Sequence, residues 1–250
     1  MTMNKSILII PDIHGRTFWK VAIDSGEYGK VIFLGDYVDP YEREGISVSM
    51  ALNNFNEIIA LKEQYPDKVI LLLGNHDLHY YSEHYCELAQ SSRYSHKAAI
   101  TLQRLFQEKK HLFQLVWETD LDGKHYLFSH AGINQSWLNR NIGLIRVPDE
   151  RHLNRLLLTD EGIETLAQVG SIRCGNCPTG SIVWADVDEI LASNPLPGTY
   201  QIFGHTQQYD GPVITAEFAC LDCRAAFSLD QKGEIKPVTR VVPYDEQIIW

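Results

Sequence analysis

The chain has 250 residues, a formal net charge of −10 and 44% hydrophobic residues. This hydrophobic content is ordinary for a protein with a packed core, and no linker-like stretch divides the sequence, so we predict a single domain over residues 1–250. The acidic balance argues against general affinity for nucleic acid, which depends on lysine and arginine displacing counterions from phosphates. No apolar run approaches the roughly 20 residues that cross a bilayer, so we expect no membrane association.

The N-terminus and the cysteines predict a cytoplasmic protein. The chain enters an apolar run by Ile7, which leaves no room for a secretory signal peptide. Five cysteines, an odd number, in a chain without an export signal are typical of reduced thiols. Composition carries no information on the oligomeric state.

Three short apolar runs in the first third of the chain predict buried strands. They occupy residues 6–11, 30–34 and 68–73, and unbroken apolar runs of this length are typical of strands covered on both faces. Residues 46–64 have apolar side chains at helical spacing, which predicts a crossover helix between the second and third strands. A strand, a helix and a second strand in this order form a parallel unit.

The remaining segments are predicted in less detail. Residues 78–93, rich in tyrosine and histidine, predict a helix or lid whose tyrosines pack on the core. Further helices are predicted at 94–109, 134–140 and 149–168, and further strands at 112–119, 124–129, 181–184 and 200–203, with the pair 112–119 and 124–129 joined by an Asp122-Gly123 turn. Residues 212–242 alternate β-rich runs with turns, which predicts an antiparallel meander.

Polar side chains follow five of the predicted strands at the point where each strand ends. They are Asp12 and His14, Asp36 and Asp39, Asn75 and His76, His130, and His205. Ligands of open α/β sheets bind beyond the carboxyl ends of the strands, so we expect these side chains to share one site. Asp12 and His14 are one residue apart, and in an extended segment they would lie on the same side.

These residue types predict a metal-dependent reaction at phosphorus. Oxygen and imidazole ligands without thiolates suit manganese, iron or zinc. The set is too large for one ion, so we predict two divalent ions bridged by a carboxylate such as Asp36. Such ions lower the pKa of bound water towards about 7, which predicts a metal-bound hydroxide as the nucleophile. A histidine outside the ligand set is the natural general acid, and we predict His76 held by Asp39.

Five motifs resemble the signature blocks of the calcineurin-like metallophosphoesterases. They are Asp12-Ile13-His14-Gly15, Gly35-Asp36-Tyr37-Val38-Asp39, Gly74-Asn75-His76-Asp77, Ser129-His130-Ala131-Gly132 and Gly204-His205, within about residues 7–222. The resemblance implies a four-layer α/β/β/α sandwich of two mixed sheets with a dimetal site at the strand ends. It also implies a first ion held by Asp12, His14 and Asp36, and a second held by Asp36, Asn75, His130 and His205.

Two departures from the family pattern bear on the substrate. Gln207 replaces the second histidine of Gly-His-x-His, which resembles the branch of serine/threonine protein phosphatases and dinucleoside tetraphosphate hydrolases. In that branch Arg-Gly usually follows the second aspartate, where this chain has Pro40-Tyr41. We therefore expect another arginine to bind phosphate, Arg173 first and Arg43 second. Asp186 joins them as a substrate-binding candidate because Trp-Ala-Asp at 184–186 is similar to Trp-Ser-Asp in protein phosphatases.

Three alternatives accompany the leading prediction, which is hydrolysis of a phosphoprotein, a nucleotide or a small phosphomonoester. The first is a catalytically silent, metal-containing scaffold module of the same fold, which would have no need of a general acid. The second is a separate zinc site made by the cysteine pairs 174/177 and 220/223, which their wide separation disfavours. The third concerns His79 and His84, which lack a matching motif and are expected at the surface or in packing.

Overall fold

The computed structural model of the protein describes residues 6–192 and 195–240. In that part of the chain the strands are β1 (Ile7–Ile10), β2 (Lys30–Phe33), β3 (Val69–Leu72), β4 (Phe113–Gln114), β5 (Val116–Leu121), β6 (Lys124–Ser129), β7 (Thr199–Phe203), β8 (Val213–Ile214), β9 (Phe218–Cys220), β10 (Phe227–Leu229) and β11 (Ile235–Pro237). The α-helices are α1 (Phe18–Asp24), α2 (Val48–Gln64), α3 (Asn75–Tyr81), α4 (Glu83–Ala89), α5 (Ala99–Lys109), α6 (Gln135–Arg140), α7 (Glu150–Asn154), α8 (Asp160–Leu166) and α9 (Val187–Ala192). None of these helices is long and apolar enough to cross a membrane.

The first sheet has the strand order β11-β10-β1-β2-β3-β4. Strands β1 to β4 run parallel, and β10 runs antiparallel to β1. Ile10 pairs with Phe33, and Phe33 pairs with Leu71, so β1, β2 and β3 end at the same level. The polar residues that follow these three strands therefore emerge together at one edge of the sheet, as the sequence predicts.

The second sheet has the strand order β5-β6-β7-β9-β8. Strands β6, β7 and β9 run parallel, while β5 and β8 are antiparallel edge strands. Phe128 pairs with Ile202, so β6 and β7 also end at one level. Their carboxyl ends carry the segments of His130 and His205 to the same edge as the polar residues of the first sheet.

The two sheets pack face to face because both faces of the central strands are apolar. Ile7 and Ile9 point into a core shared with residues of the second sheet, such as Phe128 and Ile202. Leu8 and Ile10 point the opposite way, into a core shared with the outer helices. Burying each such side chain contributes about 1.5–3 kcal/mol, which explains why β1 has no polar position. Helices also cover the outer face of the second sheet, which confirms the predicted α/β/β/α sandwich of two mixed sheets.

The predicted strand at 112–119 is two strands that belong to different sheets. Strand β4 pairs with β3 in the first sheet, and β5 pairs with β6 in the second. Between them, the backbone N–H groups of Leu115 and Val116 donate to Asn154 Oδ1, at 2.7 and 3.0 Å. The Asn154 side chain thus takes the place of a neighbouring strand as hydrogen-bond acceptor at this point, and the chain can cross from one sheet to the other. The prediction of one strand was wrong because this partner lies far along the sequence.

The predicted C-terminal meander is also divided between the sheets. Strands β8 and β9 form a hairpin in the second sheet, whereas β10 and β11 form a hairpin in the first. The connection between β9 and β10 crosses the sandwich, and Arg224 there adopts a left-handed conformation with φ 59°. The last two residues of the predicted meander, 241 and 242, lie outside the described residues.

Three predictions of helices or strands need correction. Residues 181–184 form a turn and not a strand, since Ser181 O accepts the N–H groups of Trp184 and Ala185. The predicted helix at 149–168 is interrupted by a 3-10 segment, Arg155–Leu158, after which Thr159 caps α8 by accepting from Gly162 N. The segment 78–93 forms two short helices, the first of which already begins at Asn75.

Candidate metal centre and acid pair

Backbone hydrogen bonds connect the segments that follow β1 and β2. The N–H groups of Ile13 and His14 donate to Asp36 O, at 3.1 and 2.7 Å. His14 has φ 44°, and Asp36, Asp39 and His205 also have positive φ. The segment around His14 is therefore a turn, and the argument from an extended segment was wrong. Aspartate and histidine tolerate this conformation better than most residues, and such outliers gather at functional sites.

Asp12, His14 and Asp36 form one buried cluster of potential ligands. His14 Nε2 lies 3.4 Å from Asp36 Oδ2 and 3.9 Å from Asp12 Oδ2. His14 Nδ1 donates to Val38 O at 2.9 Å, which leaves the Nε2 lone pair directed at the carboxylates. Burial, followed by the charge of Arg93, lowers the pKa of His14 well below its usual value, so the ring is neutral at pH 7.

Asp36, His130 and His205 form a second buried cluster, and Asn75 joins it. His130 Nε2 lies 3.1 Å from both Asn75 Oδ1 and His205 Nδ1, and 3.5 Å from Asp36 Oδ2. His130 Nδ1 donates to Leu34 O at 2.9 Å, so its Nε2 also presents a lone pair. The second sheet is held to the first here, because His205 N donates to Asp12 Oδ1 at 2.9 Å.

The ligand atoms of both clusters suit the binding of two cations. The side-chain oxygens of Asp36 and Asn75 accept hydrogen bonds, and the Nε2 atoms of His14 and His130 face Asp36 Oδ2 with lone pairs. Burial, together with the charge of Asp36, raises the pKa of Asp12 to about 7, so the carboxylates repel each other strongly. Converging acceptors without donors are costly in a protein interior, and a cation removes that cost.

A further buried acid, Asp222, interacts with the charges of Asp12 and Asp36. Asp222 is 2% exposed, and neither of its carboxylate oxygens has a hydrogen-bond partner among the described residues. Burial and the charge of Asp12 raise the pKa of Asp222 well above its usual value. No motif marked this residue in the sequence. Its position strengthens the case that the centre binds cations.

His76 and Asp39 lie beside the two clusters as a hydrogen-bonded pair. His76 Nδ1 is 3.0 Å from Asp39 Oδ2. Burial alone would raise the pKa of Asp39, but hydrogen bonds from His76 and His79 outweigh it and lower that pKa. Burial lowers the pKa of His76, and the charge of Asp36 opposes this effect.

Two further side chains of α3 hold Asp39 in place. His79 Nε2 is 2.8 Å from Asp39 Oδ2, and the Tyr80 hydroxyl donates to Oδ1 at 2.6 Å. Because Asp39 is surrounded by donors, the grouping of Asp39, His76 and His79 suits a hydrogen-bonded network better than a metal. Packing roles were predicted for His79 and Tyr80, and their contact with Asp39 was not predicted. The signal was their helical spacing of three and four residues from His76.

Asp77 ties the ends of β2 and β3 together. Its Oδ2 accepts from Asp36 N at 2.7 Å and from Gly74 N at 2.8 Å, and its Oδ1 accepts from Tyr37 N at 3.0 Å. The side chain is fully buried. Asp77 therefore positions the loop of Asp36 against the start of α3 without facing either cluster.

Gly74 allows the close approach of the second cluster. A Cβ at this position would overlap Asp36 Oδ1 and lie 2.7 Å from His130 Cε1. Its backbone has φ −97° and ψ 176°, which any residue can adopt, so only space requires glycine.

We expect Gly74→Ala to displace Asp36 and His130 and to lower metal affinity at least about tenfold, with a loss of about 1–3 kcal/mol in the free energy of unfolding. Titration with Mn²⁺ and chemical denaturation measure both effects. Gly143→Ala is the matched control, because a Cβ there meets nothing within 4 Å. Unchanged Mn²⁺ affinity in Gly74→Ala would contradict the expected crowding.

Arg93 reaches the centre from the loop between α4 and α5. Its Nη2 donates to His76 Nε2 at 2.9 Å and lies 3.4 Å from His14 Nε2, and its Nη1 donates to Asp39 O at 3.1 Å. The guanidinium lies 3.7 Å from the ring centroid of Tyr41. The sequence analysis missed Arg93, since no motif surrounds it and it is far along the chain from its partners.

The predicted substrate-binding residues occupy two places. Arg173 Nε lies 2.8 Å from Asp186 Oδ2, and its Nη2 donates to Thr206 Oγ1 at 2.8 Å, so this pair borders the segment of His205. Arg43 is exposed, with its guanidinium 5.5 Å from the ring centroid of Tyr41. Arg93 contacts both His14 and His76.

The cysteines do not gather into a ligand cluster in the described parts of the chain. Cys220 and Cys223 are buried, whereas Cys174 is exposed. Cys220 Sγ contacts Gly204 O and Thr206 O, each at 3.4 Å. These contacts are those of a thiol packed in the core.

The fold and the two clusters define a class of protein, namely a two-sheet sandwich with a dimetal centre at the strand ends. The sequence model described as Calcineurin-like phosphoesterase matches residues 5–209. The chain therefore belongs to the calcineurin-like phosphoesterase family, which confirms the resemblance, and it is a metal-dependent phosphoesterase. A comparison with curated proteins found no match.

Two solved structures share the fold. A cold-active protein tyrosine phosphatase is 16% identical, with a TM-score of 0.52, over 94% of this chain and 79% of that chain. A protein serine/threonine phosphatase from Saccharomyces cerevisiae, described as similar to human phosphatase PP5, is 16% identical with a TM-score of 0.51, over 96% of this chain and 81% of that chain. At such identities the likeness concerns the fold alone.

Proposed function

We propose that this chain hydrolyses phosphate esters with two divalent ions, manganese, iron or zinc, bridged by Asp36. Asp12 and His14 would complete the first set of ligands, and Asn75, His130 and His205 the second. The observation that carries this proposal is the convergence of His14 Nε2 and His130 Nε2 on the single atom Asp36 Oδ2, at 3.4 and 3.5 Å. When bound, such ions lower the pKa of water and offset the negative charge of a phosphate group.

The protein's own groups would handle the leaving group. His76 Nε2 would donate a proton to the leaving oxygen, and Asp39 would accept from Nδ1 and stabilise the imidazolium. In the described arrangement Arg93 Nη2 donates to His76 Nε2, so this nitrogen carries no proton until the guanidinium turns aside. A bound phosphate is the anion to which Arg93 would turn. Substrate binding would thus remove Arg93 from His76 Nε2. This nitrogen could then take up a proton from water, with the Ser91 hydroxyl, 3.1 Å away, accepting from it until the leaving oxygen does.

Three arginines are candidates for contact with the substrate. Asp186 is a further candidate because its carboxylate holds Arg173. Arg93 is the strongest by position, since it touches His76 and His14 directly. Arg173 is held by Asp186 near His205, on another side of the centre. Arg43 is more distant, beyond the Tyr41 ring. We propose that Arg93 binds the phosphate group, in place of the arginine that usually follows the second aspartate in this branch of the family.

Metal-dependent turnover of p-nitrophenyl phosphate tests the proposed function. We expect chelator-treated protein to be inactive and Mn²⁺ to restore hydrolysis at pH 7, since each cluster lacks its own positive charge. Metal content is measured in the same samples, and iron and zinc are tried in turn. Fully loaded protein that cleaves neither p-nitrophenyl phosphate, a nucleotide nor a phosphopeptide would contradict the proposal.

A further inference from the structure

A groove of about 380 Å³ opens beside the acid pair. Asp39 and Arg93 line one end of it, so the groove is continuous with the candidate active site. Its walls come from the first turns of α2 and of α5, which contribute side chains such as Leu52 and Leu102. Pockets of about 300–1,000 Å³ are the size at which proteins bind small molecules.

The organic leaving group would depart towards this groove. A general acid lies within hydrogen-bond reach of the oxygen that it protonates, and the organic group is attached to that same oxygen. His76 bonds to Asp39 through Nδ1, and its Nε2 contacts Arg93 at 2.9 Å. Asp39 and Arg93 therefore form part of the groove wall, whereas Ser91, whose Oγ lies 3.1 Å from His76 Nε2, does not line the groove. An organic group that leaves past His76 Nε2 on the side of Arg93 would meet the groove.

Arg93 has a defined position at the junction of the groove and the metal centre. The face of its guanidinium lies 3.7 Å from the Tyr41 ring centroid, and Nη1 donates to Asp39 O. A planar guanidinium suits the oxygens of a phosphate group. Arg93 thus adjoins both the acid pair and the groove.

The groove lining is mostly aliphatic and includes two acidic residues. Most of its side chains are aliphatic, among them Val48, Leu52 and Leu102. The exposed Glu42 is, with Asp39, one of two carboxylates in the lining, and Asp39 is occupied by His76, His79 and Tyr80. An anionic organic group would face the charge of Glu42, whereas an apolar one would bury its surface on the aliphatic walls.

We propose that the groove binds the organic group of the substrate, and that this substrate is a small phosphomonoester with a compact, largely apolar alcohol or phenol and no second anionic group. Phosphomonoesters of this kind fill the groove without meeting Glu42. The inference rests on the proposed function, because it takes His76 as the acid and the metal centre as the phosphate site. A dinucleoside polyphosphate, with several further charges, suits the groove poorly.

Binding of phosphonates to the manganese-loaded protein tests the groove without requiring turnover. We expect phenylphosphonate to bind about tenfold more tightly than methylphosphonate in calorimetry, since the ring buries apolar surface that a methyl group lacks. We expect 4-carboxyphenylphosphonate to lose most of this gain. Equal dissociation constants for the phenyl and methyl compounds would overturn the inference.

Leu52→Trp fills the groove and gives the first variant test. It should abolish the tenfold preference for phenylphosphonate and leave methylphosphonate binding within about twofold. Ile100→Trp is the matched control, because Ile100 lies on α5, is 83% exposed and does not line the groove. Equal weakening of both phosphonates by Leu52→Trp would overturn the inference.

Glu42→Lys gives a second test that does not alter packing, since Glu42 is exposed. It should strengthen binding of 4-carboxyphenylphosphonate about two- to fivefold over phenylphosphonate. Glu87→Lys, an exposed position on α4 with the same change in net charge, should leave the ratio unchanged. An unchanged ratio in Glu42→Lys would contradict the inference that Glu42 disfavours anionic organic groups in the groove.

Failure of the proposed function is a different outcome: the phosphonates bind with these preferences, but no phosphate ester is hydrolysed.

Discussion

His76→Asn should lower kcat by about 10²–10⁴-fold while both metal ions remain bound. The asparagine cannot protonate a leaving oxygen, and loss of a general acid has an effect of this size. His76 belongs to neither of the clusters that converge on Asp36, so metal content should equal that of the wild type. Steady-state kinetics and metal analysis on the same preparation measure both quantities.

The choice of leaving group makes this test specific for acid catalysis. p-Nitrophenolate is a weak base and leaves with little help, whereas an alkyl alkoxide needs a proton. We therefore expect a larger loss with an alkyl phosphate than with p-nitrophenyl phosphate. His111→Asn, at an exposed position after α5, is the control and should change neither rate. Equal losses with both substrates would assign His76 a structural role, and an inactive wild type would favour the scaffold alternative.

Asp36→Asn should abolish binding of both ions and reduce activity below detection. Asp36 Oδ1 accepts from His76 N at 3.0 Å, so the amide oxygen of the asparagine will take that place. Its NH₂ group then points at the lone pairs of His14 Nε2 and His130 Nε2, where the wild type has Oδ2. The substitution thus removes the charge and places hydrogen-bond donors between the two clusters. Mn²⁺ affinity should fall at least about 100-fold at both sites.

The stability of the metal-free proteins provides a second readout for Asp36→Asn. In the wild type, burial and the charge of Asp36 raise the pKa of Asp12 from 3.8 to about 7. A carboxyl group whose pKa rises on folding binds more protons in the folded state, so stability is lost as the pH increases from about 4 to 7. This loss should be smaller in Asp36→Asn, and Asp67→Asn, at an exposed position, should behave as the wild type. Identical pH profiles of the unfolding free energy in Asp36→Asn and the wild type would contradict the coupling.

The strand ends were predictable because their signals are local. An apolar run such as that of β3, followed at once by Gly74 and Asn75, identifies a buried strand and its carboxyl end within a few residues. The parallel register then brings such ends to one edge without any further information. The start of α3 was less predictable, since the helix begins at Asn75, whereas the predicted helix or lid begins at residue 78.

The surroundings of His76 could not be predicted in the same way. Ser91 and Arg93 reach this histidine from the loop between α4 and α5, and Tyr41 contacts Arg93 from the segment that follows β2. Nothing in the spacing of these residues along the chain encodes their proximity, because the path of α4 and the following loop decides it. The expectation that Arg173 takes the place of the missing arginine relied on nearby motifs, whereas the structure brings Arg93 closest to the acid pair.

The sequence by itself determined the ligand types, the strands that carry them and the family, since each depends on a few consecutive residues. It also indicated His76 and Asp39 as an acid pair through the chemistry that a phosphoester requires. Only the tertiary structure decided how strands 112–119 and 212–242 divide between two sheets, which groups support Asp39, and where a groove adjoins the centre. These features depend on contacts between residues that are distant along the chain, and such contacts arise only when the two sheets pack together.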